Sequence, residues 1–218
     1  MTHRSKKDAV YDALRQQILD GILAPGTRLV IDDLASTLAV SPIPVREALQ
    51  QLSADGFVTT RPYLGSHVSD IRPESVRELF ELLGALEGIS ARAALERFTA
   101  QNLADFQERL GHMDTLVSDP ERWSKENVAL HKWLCDQGQT PLVAAALERV
   151  FVHWDRLRHV YFKEVFAGRV AGAQREHWLL YQTFENRDLQ SLEANVRAHN
   201  EASLIAYLAH LEQVPSRA

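Results

Sequence analysis

The stretch Ser41-Pro42-Ile43-Pro44-Val45-Arg46-Glu47-Ala48-Leu49 decides how the first third of this 218-residue chain is read. Two prolines inside one helix ordinarily break it. Here both fall in the first turn, where backbone N–H groups have no intrahelical partner and nothing is lost. Ser41 stands where a capping residue is expected. Val45, Ala48, Leu49 and Leu52 then recur at i, i+3, i+4 and i+7, giving the helix one apolar face. The stretch predicts a rigid helix start whose free N–H groups and positive dipole end suit a phosphate. Arg46, one turn in, can reach a phosphate or a guanine edge, and Ile43 can meet a thymine methyl. A plain core helix with a stiff start fits the same residues, and the stretch alone leaves both readings open.

Working outward, Val10, Leu14, Ile18 and Ile22 recur every fourth residue and predict a first helix, ended by Ala24-Pro25-Gly26. Asp32 and Asp33 open a second, with Leu34, Ala35 and Leu38 on its buried face. Ala39-Val40-Ser41 makes a tight turn into the third helix, and Gly56 stops it. Phe57 to Arg61 and Ser66 to Ser69 are β-compatible, with Tyr63-Leu64-Gly65 turning between them. Two helices around a short turn, followed by a hairpin, form a winged helix-turn-helix.

From Pro73 the period is helical almost throughout. About six helices are expected: Pro73 to Phe98, Asn102 to Val117, Pro120 to Gln137, one opening at Thr140-Pro141, one ending near Asn186, and a last from the cap Asp188 to about Leu211. Ala167-Gly168 is expected to break the long fourth segment. The fold class is therefore mostly α: an N-terminal winged helix-turn-helix over 1–70 plus a C-terminal all-α helical bundle over 73–218, joined at Ile71-Arg72-Pro73.

The net charge of −5 looks wrong for a nucleic-acid binder, and through residue 70 seven Lys/Arg face eight Asp/Glu. What matters for phosphate contact is the distribution over one face, so composition neither supports nor excludes such binding. The lone Cys135 removes an internal disulfide and a zinc finger, and fits a reducing compartment. No run approaches the ~20 apolar residues of a membrane span, and the start lacks the apolar core of a signal peptide, so a cytoplasmic chain is expected.

Asn127 and His131 share a helix face at i, i+4, and His177 and His199 lie on the apolar stripes of the last two helices. Three inward imidazoles are costly to bury unpaired, and a divalent metal would satisfy all three. Spacing alone weighs toward three unrelated core histidines with ordinary hydrogen bonds. Trp133, Trp154 and Trp178 read as core or cavity residues, and Arg156-Leu157-Arg158-His159 as a solvated face.

The ordered set Pro25-Gly26-Thr27-Arg28-Leu29, Leu34-Ala35, Val40 to Leu49, Leu52 and Gly56-Phe57-Val58 closely resembles the DNA-binding domain of GntR-type regulators. The resemblance implies that Arg28 and Arg46 contact DNA, that Ser41, Pro42 and Ile43 enter the major groove, and that the wing at Gly65 nears the minor groove. Many members carry Arg at the position of Pro42, often Thr or Met at Ile43, and Arg at Leu64; these departures weaken what the resemblance implies about the bases read and the wing contact, and leave the fold expectation intact. Glu78-Leu79-Phe80-Glu81-Leu82, Leu86-Glu87-Gly88 and the remainder resemble the C-terminal FCD domain of the FadR-like subfamily. That resemblance implies a divalent transition metal, zinc or nickel-like, on Asn127, His131, His177 and His199. Many members place an Arg for a carboxylate effector where this chain has Leu83.

The expected function is a homodimeric transcription regulator, more often a repressor in this family, that binds an inverted-repeat operator in double-stranded DNA and answers to a small carboxylate. The competing reading, a metal-dependent enzyme in a helical bundle, lacks an evident general base and leaves the winged helix without purpose.

Overall fold

The computed structural model describes residues 5–61 and 63–213. Residues 1–4, Pro62 and 214–218, which include the outer ends of both expected domains, lie outside the described residues. The chain divides into two compact units: one of residues 1–71 with 155–160, the other of 72–154 with 161–218.

In the first unit, α1 (Lys6–Leu19), α2 (Ile31–Thr37) and α3 (Pro42–Ala54) are followed by β2 (Val58–Arg61) and β3 (Gly65–Val68), and a short β1 (Arg28–Leu29) precedes α2. Helix α1 starts at a reciprocal cap, Ser5 and Asp8 each bonding the other's backbone. It ends earlier than the four-residue repeat suggested. Gly21 has φ +72° and turns the chain, and Ile22 is left 71% exposed. Leu14, Ile18, Val45, Ala48 and Leu52 are almost wholly buried where α1 packs on α3, the Leu, Ile and Val side chains contributing roughly 1.5–3 kcal/mol each.

The sheet has the order β1-β3-β2, all antiparallel, with Arg28 opposite His67 and Leu29 opposite Ser66. Strand β1 was not expected, because two residues carry no alternation to read. Ser41 occupies the cap position of α3, but its side chain makes no capping bond. Pro42 at the first helical position fixes the entry instead. Arg156 and Arg158 are buried, not solvated: within this unit Arg156 donates to the Ser69 carbonyl and Arg158 to Asp155.

The second unit is helical: α4 (Pro73–Arg97), α5 (Ala100–Asp114), α6 (Pro120–Gln137), α7 (Pro141–Val160, its end in the first unit), α8 (Ala167–Glu185) and α9 (Leu189–Gln213). The break before α8 falls upstream of the expected Ala167-Gly168, at a π-helical turn over Phe162–Phe166. Helix α4 packs on α6 and α9, and α8 on α5, α6 and α9. Phe98, Phe106, Trp133, Tyr181 and Phe184 form an aromatic cluster, with the Arg109 guanidinium 4.9 Å from the Trp133 ring centre.

Gly138, which ends α6, is needed for space and not for its backbone angle. A Cβ there would stand 2.6 Å from the Ser90 carbonyl oxygen on α4. Gly138→Ala is expected to cost about 1–3 kcal/mol through this backbone clash, measured as a lower urea midpoint at unchanged slope.

Candidate DNA-binding surface and histidine centre

The six residues expected at DNA are all exposed: Arg28 on β1, Ser41, Pro42, Ile43 and Arg46 on the first turns of α3, and Gly65 at the start of β3. Pro44 and Val45 are buried beneath them, so the helix anchors one side and offers the other. Ile43 is 68% exposed, unusual for an apolar residue on a short rigid element. The wing turn holds Tyr63 at φ +65° and Gly65 at φ +84°, and Tyr63 and Leu64 project into solvent.

In the second unit the three histidines converge. Helix α6, opened by Asp119 capping the Arg122 N–H, carries Asn127 and His131 inward; α8 supplies His177 and α9 supplies His199. One ligating nitrogen from each imidazole falls within 4.8 Å of the others. The ring centres lie 5.4 Å (His131–His177), 5.2 Å (His131–His199) and 4.9 Å (His177–His199) apart. Asn127 is buried, 3% exposed, and its Oδ1 has no hydrogen-bond partner among the described residues.

Two carboxylates orient two of the rings. Glu87 Oε1 lies 2.6 Å from His131 Nδ1, and Glu176 Oε2 lies 2.8 Å from His199 Nδ1. An ionised carboxylate only accepts, so each Nδ1 donates and each Nε2 keeps its lone pair for another partner. His131 Nε2 and both nitrogens of His177 are buried with no hydrogen-bond partner among the described residues. Unsatisfied nitrogens facing one another in a protein core are costly without a shared cation. The donor set of imidazoles and one amide oxygen suits a first-row divalent ion better than calcium.

Further groups hold this frame. Asn200 Nδ2 donates to Glu87 Oε2 at 2.9 Å. The Trp123 ring lies flat against His177, 8° from parallel, and its indole donates to Gln174 at 3.0 Å. Arg169 makes a two-pronged ion pair with Glu176, at 3.0 and 2.7 Å. Burial drives His177 well below the usual histidine range, and positive charge on the neighbouring His199, His131 or Arg169 would push the same way. Burial likewise lowers His199, outweighing the Glu176 hydrogen bond that opposes it. Both rings are thus biased to the neutral, ligating form. Burial would raise Glu87, but His131, Asn200 and His199 together hold it below the carboxylate range; in the same way His199 and Arg169 bring Glu176 down to about 2.

Sequence reading missed Glu87, Trp123, Arg169, Glu176 and Asn200. A signal existed for Glu87, the one charge on the α4 stripe of Val76, Phe80, Leu83 and Ala91.

A winged helix-turn-helix in one unit and a helical bundle with a histidine-lined interior in the other is an architecture of DNA-binding regulators. The chain belongs to the GntR family of bacterial regulatory proteins: residues 6–68 match the family's DNA-binding domain and residues 78–202 match the FCD domain. It is 30% identical over 205 residues to an HTH-type transcriptional regulator of Streptomyces ambofaciens, covering 91% of this chain and 84% of the relative. It is 25% identical over 193 residues to the transcriptional repressor RspR of Escherichia coli (strain K12), covering 87% and 83%. The E. coli McbR/YncC structure shares the fold, with a TM-score of 0.72 at 23% identity over 96% of this chain and 99% of that one. The chain is thus a DNA-binding transcription regulator, as its family and relatives are, and not an enzyme. No helix among the described residues is long and apolar enough to cross a membrane.

Proposed function

We propose that this regulator is a cytoplasmic homodimeric repressor whose operator affinity is set by an organic acid bound beside a divalent metal on His131, His177, His199 and Asn127. The observation that carries the reading is the convergence of three imidazoles with orphaned buried nitrogens, two of the rings braced by carboxylates. A bound ion would supply a Lewis-acidic position for a carboxylate. The chain's own residues would hold the imidazoles in the ligating tautomer and exclude water with Trp123. Repression is the role that RspR's name gives that relative. The experiment is a thermal-shift screen of metal-stripped and zinc-loaded protein against small carboxylates: a stabilising acid supports the reading, and no hit with loaded protein counts against it.

Arg28 and Arg46 are the cationic DNA contacts in this account. Arg28→Ala and Arg46→Ala are each expected to weaken operator binding and to reduce its salt slope by about 1. Fluorescence anisotropy over a salt series decides, and wild-type affinity and slope in both variants would contradict the assignment.

A dimer reading two half-sites suits a recognition helix that covers only a few base pairs. Leu82 and Ile89, one heptad apart on α4, stay exposed at 47% and 43% and offer apolar surface for a second copy. Light scattering on the full chain at micromolar concentration is expected to give twice the chain mass; a monomer would oppose this arrangement.

A further inference from the structure

The cavity beside the histidines is walled by six aromatic rings: Phe80, Trp123, Phe151, Trp154, Phe166 and Tyr207. Its wall on α4 is Phe80, Leu83 and Glu87, so that helix offers no cation there. The one cationic side chain among the lining residues is Arg169, from α8. Glu176 occupies the edge of its guanidinium formed by Nη1 and Nη2. Nε is buried and has no hydrogen-bond partner among the described residues. A guanidinium can bind one carboxylate on each of two edges, so this Nε–H is a donor without its acceptor.

We propose that the pocket takes an aromatic monocarboxylate, and that Arg169 receives its carboxylate through the Nε edge while the rings enclose its aromatic body. The proposal rests on the metal-centre reading for its charge balance. Ligating imidazoles are neutral, so Glu87 in the lining and Glu176, paired with Arg169 and His199, set against the one guanidinium, leave the histidine centre one unit negative. A divalent ion turns it one unit positive, which a single carboxylate neutralises. Offset or edge-on packing against several rings favours an aromatic over an aliphatic acid.

Gly172 explains how the guanidinium fits. A Cβ there would come within 2.8 Å of Arg169 Nη1, the far end of a flexible side chain. Gly172→Ala therefore displaces the guanidinium without touching a metal ligand.

The test is titration of full-length protein, metal-stripped and zinc-loaded, with benzoate, benzamide and acetate, followed by tryptophan fluorescence and melting, with zinc content measured for each variant. Zinc-loaded protein is expected to bind benzoate saturably and more tightly than acetate, with benzamide inert. Arg169→Met and Gly172→Ala, each with zinc added to saturation, are expected to weaken benzoate roughly 10–100-fold. Zinc-loaded protein that binds benzoate no better than benzamide or acetate, or equally in both variants, would overturn this inference and leave the metal reading intact. Benzoate binding that needs Arg169 in protein that takes up no zinc would overturn the metal reading and uphold the role of Arg169. Protein that binds neither would overturn both.

Discussion

Replacing His177 by alanine is expected to lower divalent-metal affinity by more than about 100-fold, beyond the loss usual for an outer-sphere partner. His177 is 1% exposed, lies flat against Trp123, and makes no hydrogen bond among the described residues through either ring nitrogen. A histidine serving only the core would be expected to use at least one of them. The metal-free variant should lose packing against Trp123 but no hydrogen bond, so its melting temperature should move modestly. The stability gained on adding zinc should vanish. Calorimetric titration of zinc into stripped wild-type and variant protein separates these effects. Equal affinities would remove His177 from the centre.

Replacing Glu87 by alanine is expected to have a different signature: a large loss of stability even without metal. The carboxylate is buried at 5% exposure and accepts from both His131 and Asn200. Removing it leaves two buried donors without an acceptor, at about 3 kcal/mol. Metal affinity should also fall about 10–100-fold as His131 loses its orienting partner. Acid sensitivity follows from the same group. Its pKa in the fold lies below the ordinary 4.5, so its stabilisation is complete above that pH and is lost as pH falls through the folded value. His177 acts at higher pH: its pKa is depressed from 6.5, so metal-free protein loses stability as pH falls below 6.5, when the unfolded chain takes up a proton that the folded chain refuses. Wild type should weaken in both windows, whereas Glu87→Ala should keep the fall below pH 6.5 and show a shallower one below pH 4.5. Urea unfolding at a series of pH values checks this, and identical slopes would contradict it.

How much of this was legible in the sequence depended on whether a feature repeats along the chain. Helix α3 was readable because Val45, Ala48, Leu49 and Leu52 repeat on one face and the prolines sit where a helix tolerates them. Strand β1, two residues held by β3 from more than thirty positions away, leaves no such pattern. The π-helical turn at Phe162–Phe166 was misplaced because the glycine at 168 looked like the breaker, yet it lies inside α8. The histidines could be proposed because each lies on an apolar stripe. Their carboxylates could not: Glu87 and Glu176 meet His131 and His199 across 44 and 23 residues of sequence. Arg169 was invisible for a further reason, since the resemblance directs attention to position 83, where this chain has leucine.

The central claim is that the three histidines hold a metal that stabilises the sensing domain. Its most direct test is elemental analysis of protein purified without an affinity tag, with melting before and after chelation. The account predicts about one divalent first-row ion per chain and, for an ion held near 100 times its dissociation constant, a fall of roughly 5–10 °C on chelation. Protein that is isolated metal-free, takes up none when offered and melts identically with chelator would return His131, His177 and His199 to the role of ordinary core residues.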